Sequence, residues 1–440
     1  MDASRRQPDR SPDGNAAAAE TGRPVGAGCG VPGAVSAVTA IRGGARPRVV
    51  VVDMAVTRDS PAGSCVLAQI QGLARDFDLT VFSDRFDSRD VPGAEFVRVA
   101  APDRPVLLRY LAFHLGMPWR YLFWRWRGGR ADCVQATQGQ WPGAAICYAH
   151  FCHRGYLRRQ WRQSAATGVR RWARWAVHGF NAVCEGWALR RAALVVVPSR
   201  GLAREIARDY PAAAAKLHVL PNPVAIEYFA RPAAFDRAGL RAAHGLDEAA
   251  VVLGFMALGD FERKGLGLLL AALAALAAAE RTAVRILVIG GRVGEIAEFG
   301  AQATALGVGD RIVFAGMQRD VRPFLWACDA FAFPSIYEIF SLAVMQAAAA
   351  GLPVMVCDGV YGSEEFVVDG RNGWSIERRQ DAVVAWLRRV LDDRAVLPRM
   401  GQAAVRSVEP YAVAAFQARW KDLVAGVLRG DASRPVGESA

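Results

Sequence analysis

The chain has 440 residues, 52% of them hydrophobic and 22% charged, with 54 Lys and Arg against 42 Asp and Glu for a net charge of +12. That length accommodates two ordinary α/β domains, and the balance excludes a chain that is disordered or fibrous throughout. The longest apolar run, 266–279, is shorter than the ~20 residues a membrane-spanning helix needs, so no transmembrane anchor is expected.

Residues 1–46 are rich in Gly, Ala, Pro and Arg without a hydrophobic period, and a disordered tail is expected there. The start, MDASRRQPDR, lacks the compact apolar segment of a secretory signal. PRVVVVDMA (47–55) is a continuous β-branched run, as in a buried parallel strand. A loop with Pro61 and Gly63 leads into SCVLAQIQGLARDF, where Val66, Ile70, Leu73 and Ala74 have helical spacing; strands are predicted at 79–84 and 95–100. This is a βαβ unit. Further strands at 133–137, 144–150, 193–199 and 217–222 complete a first domain over 47–225. Beyond Pro221 and Pro223, strands at 251–257, 284–291, 311–316, 330–335 and 353–358 alternate with Ala/Leu-rich helices in a second domain over 235–408. A last helix is expected over 410–429. Two doubly wound domains in series place a ligand cleft between them, at the C-terminal ends of the strands.

The charge is concentrated. Between Trp119 and Arg191 there are thirteen Arg against Asp132 and Glu185, together with eight of the twelve Trp. Such a segment suits an anionic membrane surface or a nucleic acid; an Arg-rich solvated face is the plain alternative. Nucleic acid leaves the whole second domain unexplained and is not expected as a partner. The eight cysteines form no CxxC pair, and Cys147 and Cys152 flank His150 without four-ligand zinc spacing, so free thiols are expected. Asp76-Phe77-Asp78 sits on a helix-to-strand connection instead of a strand end in the cleft, so no metal is expected. IGGRVG (289–294) departs from G-x-G-x-x-G, which disfavours a nicotinamide oxidoreductase.

Two stretches carry chemistry. ALGDFERKGLGLLLAAL (257–273) reads as a strand end, a turn and a helix start with Lys264 and Gly265 at the helix N-terminus, where amides and macrodipole favour an anion. Lys216, Lys264 and Lys421 are the three lysines, so a Lys directly after Arg263 stands out; a solvated turn cation is the alternative. In FAFPSIYEIFSLAVMQAAAAGLPVMV (331–356), Ser335 and Glu338 fit an S-x-x-E capping box ahead of a helix from about 339 to 350. Glu338 is then either a cap or a cleft carboxylate able to accept sugar hydroxyls. Gln346 would lie about 12 Å along that helix and about 80° around it, placing the two side chains on different parts of one ligand.

In order, VLPNPV, GDFERKG, ILVIGG, GDRIVFAGMQRDV, CDAFAFPSIYEIFSLAVMQAAAAGLPV and EEFVVDGRNGW resemble the family 4 retaining glycosyltransferases of the GT-B fold, bacterial envelope and exopolysaccharide enzymes among them. The resemblance is close over 190–410 and holds in outline over 47–190. It implies an α/β, GT-B fold of two Rossmann-like domains facing across a cleft, with 410–429 returning to the first. It implies transfer of a hexosyl group from a UDP-, GDP- or ADP-sugar to the hydroxyl of a glycan or lipid-linked acceptor, with retention and with neither metal nor other cofactor.

By the resemblance Lys264 binds the donor diphosphate beside Gly265, with Arg263 standing in for a family Arg whose position is Asp260. Glu338 touches the hexose near its anomeric centre, and the backbone of Phe340, Ser341 and Leu342 faces the donor. Gln346 occupies the position of the acid that holds the ribose. Ile339 and Ser341 replace the glycines that usually flank the first acid. Gly63 resembles the family's Gly-rich acceptor-side loop, with an ordinary turn glycine as the alternative. YAHFCHR (148–154) resembles the stretch carrying the active-site His and offers both His150 and His153, of which His150 closes the predicted strand. The protein is expected in the cytoplasm, peripheral on the inner face of the membrane. A nucleotide-sugar epimerase or phosphorylase, and a nucleotide-sugar-binding protein without turnover, are the rival readings.

Overall fold

The computed structural model describes residues 46–161 and 168–431. The tail expected over 1–46 falls outside the described residues apart from Arg46, as do Cys29 and Arg162. The first domain lays down β1 (Arg48–Val52), β2 (Ala55–Val56), β3 (Asp78–Ser83), β4 (Arg85–Phe86) and β5 (Glu95–Arg98). It continues with β6 (Cys133–Thr137), β7 (Ile146–Tyr148), β8 (Leu194–Val197) and β9 (Leu217–Val219). β2 and β4 make a small ribbon of their own. The other seven form one parallel sheet in the order β5-β3-β1-β6-β7-β8-β9.

The second domain consists of β10 (Val251–Ala257), β11 (Val284–Gly290), β12 (Ile312–Gly316), β13 (Ala330–Phe333), β14 (Val354–Cys357) and β15 (Gly373–Ile376). Their order is β12-β11-β10-β13-β14-β15, again parallel. Helices cover both faces of such sheets, which is why Val49–Val52 and all of β10 are buried and read as unbroken apolar runs. β15 is the one strand of this sheet outside the sequence expectations: GWSI has no β-branched run, and the strand lies at the sheet edge.

Strand order reverses between β1 and β6 in the first sheet and between β10 and β13 in the second. Loops leaving neighbouring strands in opposite directions open a crevice at each of these points. The two switch points therefore position the site.

The helix Val413–Arg429 packs on the first domain. Phe416, Trp420 and Val424 enter the core formed with Val49, Ile70 and Tyr148. Gln417 Nε2 donates to Ala68 O at 3.1 Å, and Lys421 pairs with Asp76 at 3.2 Å. Across the cleft Tyr337 donates to Glu205 at 2.7 Å and Ser199 to Ile339 O at 2.8 Å, while Arg200 pairs with Glu365. Among the described residues no helix is long and apolar enough to cross a membrane.

Candidate functional site

The loop after β10 carries Lys264 and the loop after β13 carries Glu338, so the second switch point brings together residues 74 apart in sequence. Their side chains form an ion pair. Arg263 Nη1 reaches the same Glu338 oxygen at 3.0 Å, and Ser335 Oγ donates to it at 3.1 Å. Asp260 orients Arg263 from the other side, its Oδ2 accepting from Nε at 2.7 Å. Lys264 Nζ also sits 5.3 Å from the centroid of the Phe333 ring. Burial lowers the Lys264 pKa below that of an ordinary amine, with Glu338 opposing the shift.

These residues line a cavity of about 780 Å³ to which both domains contribute. From the first domain come Arg58, Pro61, Ser64, His150 and Asn222; from the second come Phe340, Ser341, Leu342 and Gln346, besides the ion-pair residues. Arg58, Arg263, Lys264, Arg292 and Arg319 face it against the carboxylates of Asp59, Asp260 and Glu338, a balance that favours an anionic ligand. Arg292 and Arg319, which follow β11 and β12, were not picked out from the sequence. Their signal was position: each follows the C-terminal end of a strand in the second sheet.

The structure departs from the expected local geometry at four places. First, Glu338 is not a helix cap. The helix runs Leu342–Ala349 with Ser341 as its N-cap, and Ser341 Oγ accepts from Val344 N at 3.4 Å. Glu338 lies in the preceding loop, where its N–H donates to Gly359 O at 3.1 Å and its carbonyl accepts from Tyr361 N at 2.9 Å. The spacing worked out along a common helix for Glu338 and Gln346 therefore does not apply, although both line the cavity.

Second, Lys264 ends a separate four-residue turn, Phe261–Lys264, and Gly265 (φ 88°) is the N-cap of the helix Leu266–Ala274. Gly265 is not among the residues lining the cavity. A Cβ on it would lie 2.0 Å from Pro334 O, so it allows the two switch-point loops to close on each other.

Third, Gly63 belongs to the first turn of the helix Pro61–Leu73 instead of a loop, because Ser60 caps that helix and accepts from Gly63 N at 3.2 Å. A Cβ there would lie 1.9 Å from Ala55 O. Pro61, Ala62 and Ser64 line the cavity, and Gly63 does not.

Fourth, the two histidines separate. β7 ends at Tyr148, and His150 follows in the cavity wall, its ring 4.0 Å from that of Tyr148. Its Nε2 is buried with no hydrogen-bond partner among the described residues, and burial lowers its pKa to about 4. His153 lies outside the cavity, with Nδ1 3.0 Å from His178 Nδ1 in a cluster with Phe151 and Tyr156. Burial and the facing His178 hold His153 at about 3.

Behind that cluster Glu185 accepts from His153 N at 3.1 Å and from Tyr210 Oη at 2.7 Å. Burial pushes its pKa up to about 8 from the usual 4.5. The folded protein thus keeps a proton that the unfolded chain releases. This stabilisation is fully present below about pH 4.5 and is lost as pH rises through about 8. Glu185→Gln removes the titration, so its stability relative to wild type is expected to rise by roughly 2–5 kcal/mol between about pH 5 and about pH 9. Urea unfolding at the two pH values measures the difference, and parallel behaviour of the two proteins would contradict it.

Cys152, Glu205 and Asp209 converge closely enough to hold a metal ion. A guanidinium already occupies that position: Arg159 Nη2 lies 2.8 Å from Glu205 and 2.5 Å from Asp209. Asp78 begins β3, at the strand's N-terminal end away from the cavity, and Asp76 pairs with Lys421.

Residues 62–228 match the family described as Glycosyltransferase Family 4, and residues 250–393 match Glycosyl transferases group 1. Over 219 residues the chain is 34% identical to D-inositol 3-phosphate glycosyltransferase of Streptomyces avermitilis, covering 47% of this chain and 46% of that protein. The aligned stretches span less than half the length of the first curated relatives. Among solved structures, the fold is similar to WaaG, a glycosyltransferase involved in lipopolysaccharide biosynthesis, with a TM-score of 0.67 and 17% identity over 86% of this chain and 100% of that one. It is also similar to HepE of Anabaena in complex with UDP, with a TM-score of 0.65 and 17% identity over 86% of this chain and 100% of that one.

Proposed function

The chain belongs to the family 4 glycosyltransferases of the GT-B fold, and on that footing we propose that it is a retaining, metal-independent hexosyltransferase using a nucleoside-diphosphate sugar. The observation that carries this reading is the meeting of Lys264, Arg263 and the Leu342 helix N-terminus at one switch point, in a cavity walled by both domains. Two cations and first-turn amides suit a diphosphate, whose developing charge on leaving they stabilise without a metal. The similar HepE structure holds UDP.

In this reading the donor phosphates draw Lys264 and Arg263 away from Glu338, freeing that carboxylate to accept from hexose hydroxyls. The unpartnered Nε2 of His150, on a ring that is neutral near pH 7, meets the sugar from the first domain. Gln346 bonds the ribose diol as a neutral amide, more weakly than a carboxylate. The acceptor hydroxyl attacks the anomeric carbon from the side the diphosphate leaves. The new C–O bond forms as the old one breaks, the acceptor proton passes to the departing phosphate oxygen, and configuration is kept. Incubation with UDP-, GDP- or ADP-hexose and an envelope glycolipid extract tests this, with the product's anomeric coupling read by NMR. A product of retained configuration is expected. An inverted product, sugar-nucleotide interconversion without an acceptor, or binding without any turnover would each contradict the proposal.

The acceptor is lipid-linked or part of an envelope glycan, reached from the inner face of the cytoplasmic membrane. The helix Val106–Trp126 supports this. One face buries Phe113, Met117 and Trp124, while the opposite face exposes an apolar stripe of Leu115, Trp119, Leu122 and Trp126, with Trp119 75% and Trp126 80% exposed. The helix Gly168–Arg191, in contact through Phe180 and His114, adds exposed Trp172 and Trp187 among its arginines. An apolar stripe flanked by Arg is the pattern of a helix lying in an anionic bilayer interface. Co-flotation with anionic but not neutral vesicles is expected, and absence from both would contradict the docking.

A further inference from the structure

A second cavity, of about 660 Å³, lies at the far edge of the first sheet. Arg48, Asp78 and Glu95, the first residues of β1, β3 and β5, line it, so it opens at the strand N-termini, about 20 Å from the cleft by strand length. Arg46 and Arg48 reach it from one side. Arg120, Arg127 and Arg130 reach it from the last turns of the Val106–Trp126 helix and the turn beyond. None of the five makes an ion pair with a described carboxylate, although twenty-one such pairs occur elsewhere among the described residues.

Five guanidinium groups face two lining carboxylates, Asp78 and Glu95. Glu95 accepts from Trp124 Nε1 at 3.0 Å and from Thr80 Oγ1 at 2.9 Å, and Asp132 accepts from the backbone N–H of Arg48 at 2.8 Å. Arginines at a helix C-terminus often only complement its dipole. That account does not extend to Arg46 and Arg48, which belong to another element. The floor is apolar, made by Phe77, Leu79 and the buried Trp124, and Gly129 lets the chain fold tightly over the Trp124 ring.

We propose that this cavity binds the phosphomonoester headgroup of an anionic lipid, with the acyl chains leaving along the exposed Trp119–Trp126 stripe. The inference rests on the membrane-docking reading above and adds a headgroup site to it. A phosphomonoester is a terminal dianion open on three oxygens, which suits several converging guanidinium groups better than a phosphodiester with one charge. The β5-to-helix connection lies on the cleft side of the sheet and the helix ends at the far edge. A lipid held at the far edge therefore fixes one end of a helix whose other end is near the cleft mouth.

The test compares full-length protein on vesicles of equal surface charge made with phosphatidic acid or with phosphatidylglycerol. Wild type is expected to bind the phosphatidic acid vesicles about tenfold more tightly, the effect of one or two additional charge-assisted contacts. The triple variant Arg46→Ala, Arg127→Ala, Arg130→Ala loses that preference. The triple variant Arg170→Ala, Arg171→Ala, Arg174→Ala, with equal charge removed outside the cavity, weakens both and keeps the preference. Equal wild-type binding to both vesicles, or a preference surviving in the cavity variant, would overturn the proposal. Calorimetry with soluble dihexanoyl phosphatidic acid separates the site from the docking face. Heat of binding that the cavity variant abolishes, without any vesicle binding, sinks only the docking reading. No heat with wild type sinks the headgroup site.

Discussion

Lys264→Ala is expected to lower kcat/KM for sugar transfer by about 10²–10³-fold, the usual loss when one preorganised group that stabilises developing charge is removed. The ammonium is largely shielded from water, lies over the Phe333 ring and faces the cavity beside Arg263. In such surroundings a charge acts more strongly on a phosphate than it would in water. Arg263 cannot take over the whole task, because Asp260 and the Tyr337 carbonyl already hold its guanidinium. The fold should survive, since Arg263 and Ser335 still satisfy Glu338. Steady-state kinetics beside a urea melt measure both effects. Unchanged kcat/KM would remove Lys264 from the chemistry, and a collapsed melt would make its role structural.

The largest stability effect is expected at Trp420, 0% exposed in the helix that crosses back to the first domain. Its ring lies 5.0 Å from Tyr148 and 6.2 Å from Phe416, and Nε1 donates to Gln135 Oε1 at 3.0 Å. Gln135 in turn donates to Gln69 at 3.0 Å, so the indole closes a buried polar chain. Trp420→Ala leaves a large cavity and an orphaned amide oxygen, and is expected to cost about 3–5 kcal/mol in chemical denaturation. Tyr148 stands two residues before His150, so the loosened wall should also reduce activity at temperatures where the variant remains folded. A loss below about 1 kcal/mol would show that the helix does not brace the first domain.

The strands were legible because parallel strands covered on both faces must be apolar throughout: RVVVV and VVLGFMA leave little alternative. The residues at the second switch point were legible for another reason, since a cation after β10 and an acid after β13 converge once the strand order is known. Local detail was harder to read. The apolar run of IFSLAVM suggested a helix from 339, but Ser341 competes with Ser335 as the cap. Contacts distant in sequence, from Gly359 to the Glu338 amide and from Ser199 to Ile339, hold the preceding residues in a loop. The choice between His150 and His153 depended on where β7 ends, and a strand stopping at Tyr148 leaves no periodic signal for the residues beyond it. The second apolar face of the Val106–Trp126 helix was present in the sequence. Burial alone separates it from the core face.

The donor site is the centre of the account, and a thermal-shift screen tests it most directly. Wild type and Lys264→Ala are melted with UDP-, GDP- and ADP-sugars in turn. At a ligand concentration about 100 times Kd, binding raises stability by about 2.7 kcal/mol, which a melt resolves readily. One nucleotide class is expected to raise the wild-type Tm and to leave Lys264→Ala nearly unmoved. No stabilisation of wild type by any of the three, or equal stabilisation of both proteins, would contradict a donor site built on Lys264.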